Sequence, residues 1–473
     1  MSTSPAAPVV NLRRALVPLA LAQFICSFAG SNMNVMINDI SEDLNTTVQG
    51  VQITITLFLL VMAALMIPGG KLTDRYGRKR LFTAGLILYG IGALMSAVSP
   101  GLGVLILGNS ILEGVGTAML IPPVYILTTL LFTGVVARAR AFGAISASAG
   151  VGAAAGPLIG GLITSALSWR WAFVFQALII VVIVVLSRRN VVDPVPPDPT
   201  RPFDTRGAVL SAVGLVLLVT GILAADNNVW LMLGLIAAGA VFLLLFFRSI
   251  RAKARAGQEP LLSPELFRNR TSNLGLVTQN TQWLMMMGVS FTVAAYLQVV
   301  RGYDAIETGL IFTAATIGLL ISSFGAERFA KRRAQRTLIV AGFIITIAGI
   351  IVFLSLVRET SNIWTFVPGL FLIGFGVGAM MTPSINVVQS SFGEEQQGEI
   401  SGLSRSVSNL GSSLGTAIAG TILVAGITTS PQRDYGLAMA SLGVAGLIGL
   451  VAAARLPRTF APTESTPAPG PAA

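Results

Sequence analysis

The chain alternates between long apolar runs and short polar segments. Fourteen apolar runs, most of about 18 residues or more, can be counted along it. They lie at residues 15–37, 48–68, 81–99, 102–126, 139–163, 169–187, 207–225, 227–247, 272–300, 307–325, 337–357, 363–388, 399–427 and 435–455. A helix of this length spans the hydrocarbon core of a bilayer and satisfies its own backbone hydrogen bonds. The pattern therefore predicts an all-α polytopic membrane protein with 14 transmembrane helices.

Positive charges lie on one side of this predicted bundle. If the helices alternate in direction, a single face holds the Arg and Lys clusters at 13–14, 71–80, 138–140, 188–206, 248–270, 328–336 and 455–458. The loops on the other face contain only Arg170, Arg301, Arg358 and Arg433. Since loops rich in Lys and Arg stay in the cytoplasm, we expect both termini to be cytoplasmic. An odd number of helices would destroy this segregation.

Two longer polar segments divide the chain into six, two and six helices. Residues 188–206 include the proline-rich stretch 193–199, which predicts a stiff extended linker, and residues 248–271 are basic and amphipathic. The prediction is an N-terminal six-helix bundle at 1–187, linkers with two inserted helices at 188–271, a C-terminal six-helix bundle at 272–457 and a disordered tail at 458–473.

Composition excludes a soluble globular protein. Of 473 residues, 53% are hydrophobic and 11% are charged, whereas about a quarter of a soluble domain is charged. The formal charge of +11 comes from bases in short loops and not from one stripe. It therefore indicates topology and contact with anionic lipid headgroups, and we expect no nucleic-acid partner.

The chemistry of cofactor sites is also missing from the sequence. There is no histidine, and Cys26 is the only cysteine, so imidazole ligation and an intrachain disulfide are excluded. No loop of the phosphate-cradling type is present, which excludes ATP-driven transport by this chain. We therefore expect no cofactor, no metal and no enzymatic activity.

After the second predicted helix, one acid stands among four bases in Gly70-Lys71-Leu72-Thr73-Asp74-Arg75-Tyr76-Gly77-Arg78-Lys79. This segment resembles the signature loop of the major facilitator superfamily. The resemblance implies that the loop latches the cytoplasmic ends of two bundles, with Gly70, Asp74, Arg75, Gly77, Arg78 and Lys79 as gating residues. A degenerate echo occurs at 327–333, where Lys331 takes the place of the acid.

Helix 5 carries a stripe of small residues that allows another helix to approach closely, and its proline permits a bend. The stripe resembles the antiporter motif of exporters in that superfamily and consists of Gly143, Gly152, Gly156, Pro157, Gly160 and Gly161. The segments 169–171, 260–262 and 266–270 resemble the fourteen-helix drug:proton antiporter branch. The resemblance spans essentially the whole chain and implies two six-helix bundles with two inserted helices, and export.

Only one acid falls well inside an apolar run. Glu113 is this acid, and Asp39, near the outer end of helix 1, is a weaker candidate. A buried carboxyl that gains and loses a proton can couple transport to protons, so we expect proton coupling at Glu113. The segment resembles the helix-4 motif of the family, but Ser110 stands where an arginine is usual and Glu113 where a glutamine is usual. A structural alternative is a neutral Glu113 that hydrogen-bonds a neighbour.

The predicted substrate cavity has few charges. Ala29 stands where the drug-exporting branch often has an acid, and helices 9 to 14 contain no central acid, which favours neutral, zwitterionic or amphipathic substrates. We expect Arg405 to snorkel to the cytoplasmic face or to pair with an acid. The candidate cavity residues are Asn32, Asn34, Gln52, Gln279, Asn280, Gln282, Trp283, Met286, Asn386 and Gln389.

These features predict a secondary active transporter, a proton-coupled antiporter that exports small amphipathic drugs or toxic metabolites by alternating access. Its partners would be the small-molecule substrate, protons and the lipid bilayer, and we expect a monomer. Many Arg, Ala and Gly residues indicate a bacterium of high GC content, hence the cytoplasmic (inner) membrane. Two alternatives remain: an exporter or flippase of lipids or lipid-linked metabolites, and a transport-inactive receptor or scaffold.

Overall fold

The computed structural model of the protein describes residues 12–132, 135–225, 228–330, 335–357, 362–393, 396–426 and 431–457. The predicted tail at 458–473 and the bases 331–333 of the degenerate echo lie outside these ranges. Within them, fourteen helices are long and apolar enough to cross a membrane. The predicted all-α fold with 14 transmembrane helices is confirmed.

The helices, numbered in chain order, are α1 (Leu12–Asp43), α2 (Val48–Tyr76), α3 (Arg78–Ala97), α4 (Leu102–Leu131), α5 (Val135–Ala166), α6 (Trp169–Asn190), α7 (Thr205–Leu223), α8 (Val229–Arg255), α9 (Arg270–Val300), α10 (Ala305–Ala330), α11 (Gln335–Leu356), α12 (Ile363–Gln389), α13 (Gln397–Gly426) and α14 (Pro431–Ala454). Short connections make successive helices antiparallel. One end of the molecule holds the segment 70–79 and is called the gating-loop end below. The other holds residues 43–48 and is called the opposite end.

The helices form two bundles and a hairpin. Helices α1–α6 pack together, with α1 against α5 and α3 against α4 and α6. Helices α9–α14 pack in the same way, with α9 against α13 and α10 and α11 against α12. The bundles meet where α2 lies along α13 and α5 along α10. The α7–α8 hairpin attaches through α7, whose Val219 and Leu223 pack on Leu60 of α2 and Ala417 of α13.

Lipid-facing surface is most extensive on α8. Only 11% of its most apolar 18-residue stretch is buried, compared with 78% for α9 at the centre of the molecule. The exposed side chains of α8 include Trp230, Leu233, Val241 and Leu244. Exposure of such an apolar surface to water is unfavourable, whereas the hydrocarbon tails of lipids match it. The chain is therefore a multi-pass membrane protein.

Glycines bring α3 and α4 into backbone contact. A Cβ atom at Gly92 would lie 2.8 Å from the backbone nitrogen of Glu113, and one at Gly116 would lie 2.7 Å from that of Tyr89. No side chain fits at such distances, so glycine is required at both positions. The start of α4 widens into π-helical turns at Ile106–Glu113, a feature that is frequent at functional sites.

Candidate functional site

A cavity lies between the two bundles and has two adjoining compartments. The first, called the Arg405 compartment, holds about 630 Å³ of atom-free space that is partly open to solvent. The second, called the Pro157 compartment, holds about 620 Å³. Ala153 and Met287 line both. Each wall combines helices of both bundles, as in transporters whose site lies at the interface of two repeats.

The walls are mostly apolar. Trp283, Met62, Met66 and Met287 line the Arg405 compartment, and Met286 lines the Pro157 compartment. Methionine side chains are flexible and polarisable, so they adapt to ligands of different shapes. Of the ten residues that the sequence suggested for the cavity, Trp283 and Met286 line it.

Arg405 is the only charged side chain among the described residues that line either compartment. Its guanidinium donates a hydrogen bond to the Tyr125 hydroxyl of α4, in the other bundle, and lies 4.8 Å from the centre of that ring. The Tyr125 hydroxyl donates in turn to Gln23 Oε1 at 3.1 Å. The pairing with an acid that the sequence suggested for Arg405 is not found among the described residues, where the neutral Tyr125 takes its place.

Two of the predicted cavity residues instead join the bundles at the opposite end. Asn34 Nδ2 donates to Ser290 Oγ at 2.9 Å, and Gln298 Nε2 donates to the Asn34 carbonyl oxygen at 2.7 Å. Gln52 Nε2 donates to the carbonyl oxygens of Thr416 and Ala417, both at 3.2 Å. These hydrogen bonds link α1 to α9 and α2 to α13, so they join the two bundles at this end.

The remaining predicted cavity residues lie within one bundle or near a helix end. Gln279 and Asn280 bond to Ser404 and to the Val407 carbonyl oxygen of α13. Asn32 packs against Gly160, and Asn32 and Gln282 are buried with no side-chain hydrogen-bond partner among the described residues. Asn386 and Gln389 lie in the last turns of α12 at the gating-loop end. Neither compartment includes any of these six.

The small-residue stripe of α5 faces two helices. Gly152, Gly156 and Gly160 face α1 at Phe24, Ser31 and Asn32. Gly161 and Pro157 face α10, where a Cβ atom on Gly309 would lie 3.1 Å from the Pro157 carbonyl carbon. In contrast, a Cβ atom on Gly143, nearer the gating-loop end, would meet nothing within 4 Å. Close packing of α5 on α10 is therefore seen near the opposite end.

The segment Gly70–Lys79 is mainly helical. Helix α2 continues through Gly70 to Tyr76, and only Gly77 turns, with φ of 94°. Asp74 forms ion pairs with Arg78 at 2.6 Å and with Arg201 at 2.7 Å. The carboxylate of Asp193 accepts hydrogen bonds from the backbone nitrogens of Arg78 and Lys79. The bases thus contact the linker between α6 and α7, while Arg75 lies beside the Tyr76 ring.

The cation that crosses to the other bundle is Lys71. Its Nζ lies 2.6 Å from Glu399 Oε1 on α13 and 3.0 Å from Glu259 Oε1 in the linker before α9. Glu399 also accepts a hydrogen bond from the Ser263 backbone nitrogen at 3.1 Å. Sequence reasoning did not place Lys71 among the gating residues, although an acid in the first turn of α13 could have suggested the pair.

Glu113 lies inside the N-terminal bundle, outside both compartments. Ser96 Oγ donates to Glu113 Oε1 at 3.4 Å, and Oε2 has no partner among the described residues. The neighbouring Tyr89 hydroxyl donates to Gln176 Oε1 at 2.5 Å. Asp39, the weaker candidate, lies in the last turns of α1 at the opposite end, half-buried.

Comparison with known proteins agrees with this architecture. The puromycin resistance protein pur8 of Streptomyces alboniger is 29% identical over 432 residues, covering 90% of this chain and 84% of its own. The multidrug efflux pump LfrA of Mycolicibacterium smegmatis is 27% identical, covering 91% and 84%. The crystal structure of the peptide transporter POT in complex with sulfate superposes with a TM-score of 0.68 at 18% identity, covering 94% and 95%, and so shares the fold.

The sequence profile that describes the Major Facilitator Superfamily matches residues 19–257, 212–416 and 275–472. Together these matches cover almost the whole chain, including both bundles and the hairpin. Two bundles around a shared cavity, joined by contacts that differ at its two ends, are the parts that a transporter requires. The chain is therefore a membrane transporter, and it belongs to the Major Facilitator Superfamily.

Proposed function

We propose that the protein is a proton-coupled antiporter that exports small amphipathic compounds from the cytoplasm by alternating access. It would act as a monomer in the bacterial cytoplasmic membrane, with both termini in the cytoplasm and no nucleic-acid partner. The observation that carries the proposal is the largely apolar cavity between the bundles. The similarity to pur8 and LfrA, named for puromycin resistance and multidrug efflux, supports export of drug-like molecules.

The contacts between the bundles are of a kind that can break and re-form. At the opposite end they are hydrogen bonds from the side chains of Asn34, Gln298 and Gln52. At the gating-loop end, Lys71 and Glu399 form an ion pair. Each is worth little compared with the packing inside a bundle, so rigid bundles can rock against each other. The charge network of Asp74, which includes Arg78 and Arg201, would hold the linker in place during this motion.

Glu113 remains the proposed proton carrier. It is fully buried, and Thr117 Oγ1 donates to its carbonyl oxygen at 2.8 Å. Thr117 also accepts a weak hydrogen bond from Cys26 Sγ at 3.9 Å, and Cys26 lines the Arg405 compartment. One turn of α4 thus separates the carboxyl from the cavity. A substrate that shifts α1 against α4 would change the surroundings of the carboxyl and hence its affinity for protons.

Transport in proteoliposomes tests the proposal. With an imposed pH gradient, the wild-type protein should accumulate an uncharged amphipathic dye such as dansylglycine methyl ester, and a protonophore should abolish the accumulation. Glu113→Gln should retain dye binding but lose the dependence on the pH gradient. Glu42→Gln, which removes an exposed acid at the opposite end, is the control and should behave like wild type. Proton-coupled transport by Glu113→Gln that equals wild type would remove Glu113 from the mechanism.

The same vesicles separate the alternatives. A fluorescent phospholipid that changes leaflet only when the protein is present, without dye transport, would favour the flippase. Absence of both activities in protein that still binds dye would favour a receptor or scaffold.

A further inference from the structure

We propose that the Arg405 compartment recognises organic anions, so that the exported compounds include amphipathic molecules with a carboxylate next to an apolar body. This inference rests on the proposed function and narrows its substrate class. It goes beyond the sequence, which favoured neutral or zwitterionic compounds because acids are scarce.

The first support is an uncompensated charge. A guanidinium keeps its proton at any physiological pH. No carboxylate of a described residue lies within ion-pair distance of Arg405, and the buried acid Glu113 lies outside the compartment. The only partner of the guanidinium among the described residues is the neutral hydroxyl of Tyr125. A cation in a largely apolar cavity without a counter-ion favours a ligand that brings a negative charge.

The second support is donor capacity. A guanidinium has five N–H donors in a planar fork that matches the two oxygens of a carboxylate. The hydrogen bond to Tyr125 uses one nitrogen, and no nitrogen of Arg405 is buried without a partner. The other donors are therefore accessible from the cavity. A carboxylate is also a stronger acceptor than a phenol, so it can displace Tyr125.

The third support is the shape of the surrounding wall. Ser408, Asn409 and Ser412 follow Arg405 on α13 at spacings of three, four and seven residues, and all line the compartment. They extend the polar face that begins at Arg405. The facing wall includes Met62, Met66, Ile121 and Trp283 and is apolar. A molecule with one anionic end and an apolar body would match this division of the wall into a polar and an apolar face.

Anion binding would also affect the contact between bundles. Arg405 belongs to α13 and Tyr125 to α4, so their hydrogen bond joins the two halves of the molecule. A carboxylate that displaces Tyr125 takes this contact away and leaves Arg405 paired with the substrate. Substrate binding thereby loosens one connection that the rocking motion has to break.

Binding of a matched pair of probes to the purified full-length protein in detergent tests the inference. Dansylglycine carries a carboxylate, and its methyl ester carries the same fluorophore without the charge. Wild type should bind the acid about tenfold to a hundredfold more tightly than the ester, the range expected of a hydrogen bond to a charged group. Arg405→Gln should lose this preference and keep the affinity for the ester, which also shows that the variant folds.

Three further variants complete the experiment. Arg405→Lys keeps the charge and should retain part of the preference. Tyr125→Phe removes the competing acceptor and should bind the acid at least as tightly as wild type. Arg206→Gln removes an exposed positive charge outside the cavity and should have no effect. Equal affinity for acid and ester in wild type, or an unchanged preference in Arg405→Gln, would overturn the inference.

The transport assay distinguishes this inference from the proposed function. Accumulation of the ester under a pH gradient, with no preference for the acid in binding, would leave the antiporter intact and refute anion recognition. Selective binding of the acid that depends on Arg405, without transport of any probe, would support anion recognition and refute the antiporter.

Discussion

The ion pair between Lys71 and Glu399 makes a strong prediction about gating. It is the ion pair that joins the two six-helix bundles at the gating-loop end of the described structure, at 2.6 Å. Glu399→Gln removes the negative charge and retains the size of the side chain. We expect this change to favour states in which α2 and α13 separate at that end.

The magnitude follows from the surroundings of the pair. The side chains of Lys71 and Glu399 are 19% and 24% exposed, which places them between surface and buried pairs. Surface pairs contribute about 0–1 kcal/mol, and breaking a buried pair costs about 3–5 kcal/mol. We therefore expect Glu399→Gln to reduce the stabilisation of the joined state by about 1–3 kcal/mol. This free energy corresponds to a shift in the gating equilibrium of about 5- to 150-fold.

The native sequence supplies the reporter. Cys26 is the only cysteine, is 4% exposed and lines the Arg405 compartment. A membrane-impermeant maleimide added on the gating-loop side of oriented vesicles should label it faster in Glu399→Gln, by a factor up to the shift in the equilibrium. Lys71→Ala should act similarly, and the double variant should add little to either change.

Glu259→Gln is the matched control. Glu259 also pairs with Lys71, but it is 37% exposed and lies in the linker outside α13. Its loss should change labelling less than twofold. If Glu399→Gln labels at the wild-type rate while its melting temperature is also unchanged, the ion pair does not hold this end closed.

Two further predictions concern stability. Gly92→Leu would place a side chain against the backbone of Glu113, so it should lower the melting temperature in detergent through a loss of at least about 1–3 kcal/mol, whereas Gly101→Ala, with open space around it, should not. The pKa of Asp204 is lowered because, although burial opposes ionisation, hydrogen bonds from Lys253 and from backbone nitrogens outweigh it. Its stabilisation should be complete above the unfolded value of about 3.9 and lost as pH falls through the lower folded pKa. Asp204→Asn should therefore lower the melting temperature at pH 6 and reduce its dependence on pH below 4; equal pH profiles for both proteins would refute this assignment.

The apolar runs predicted the number of helices because each span must be apolar over the thickness of the bilayer. They did not predict where α2 ends. The run stops at residue 68, but the helix continues to Tyr76 and carries the polar residues Lys71 and Asp74 beyond the apolar region. Hydropathy measures the environment of a segment and not the continuity of its backbone. The positive φ at Gly77 marks the true end of the helix.

The candidate site was harder to predict because the side chain of a polar residue in an apolar run can find hydrogen-bond partners in several ways. Gln52 and Asn280 bond to backbone carbonyl oxygens of neighbouring helices, which the sequence cannot distinguish from lining a cavity. Arg405 meets Tyr125, a partner 280 residues away in the chain. Only the way in which the two bundles come together brings these side chains into contact, and no local pattern indicates it.

The sequence of α13 contains one pattern that indicates its contact with α2. Glu399, Ser406, Ser413 and Gly420 recur every seven residues on α13, a spacing that keeps one face of a helix on its neighbour. Each faces α2: Glu399 pairs with Lys71, Ser406 and Ser413 donate to the carbonyl oxygens of Ala63 and Thr56, and Gly420 packs on Gln52. The seam between α2 and α13 is therefore smooth, with few side chains that interlock.

A smooth seam explains how binding and gating can be linked. Small residues let α2 and α13 separate without rotamer changes. The separation is therefore controlled by the ion pair between Lys71 and Glu399 and by the contacts beside the seam. Arg405 directly precedes Ser406, and its hydrogen bond to Tyr125 lies at the edge of the same seam. A ligand that removes this bond acts two turns of α13 away from Glu399. The substrate-binding residue Arg405 and the gating residue Glu399 thus lie on the same helix. Because α13 moves as a rigid body, a change at either residue shifts the other.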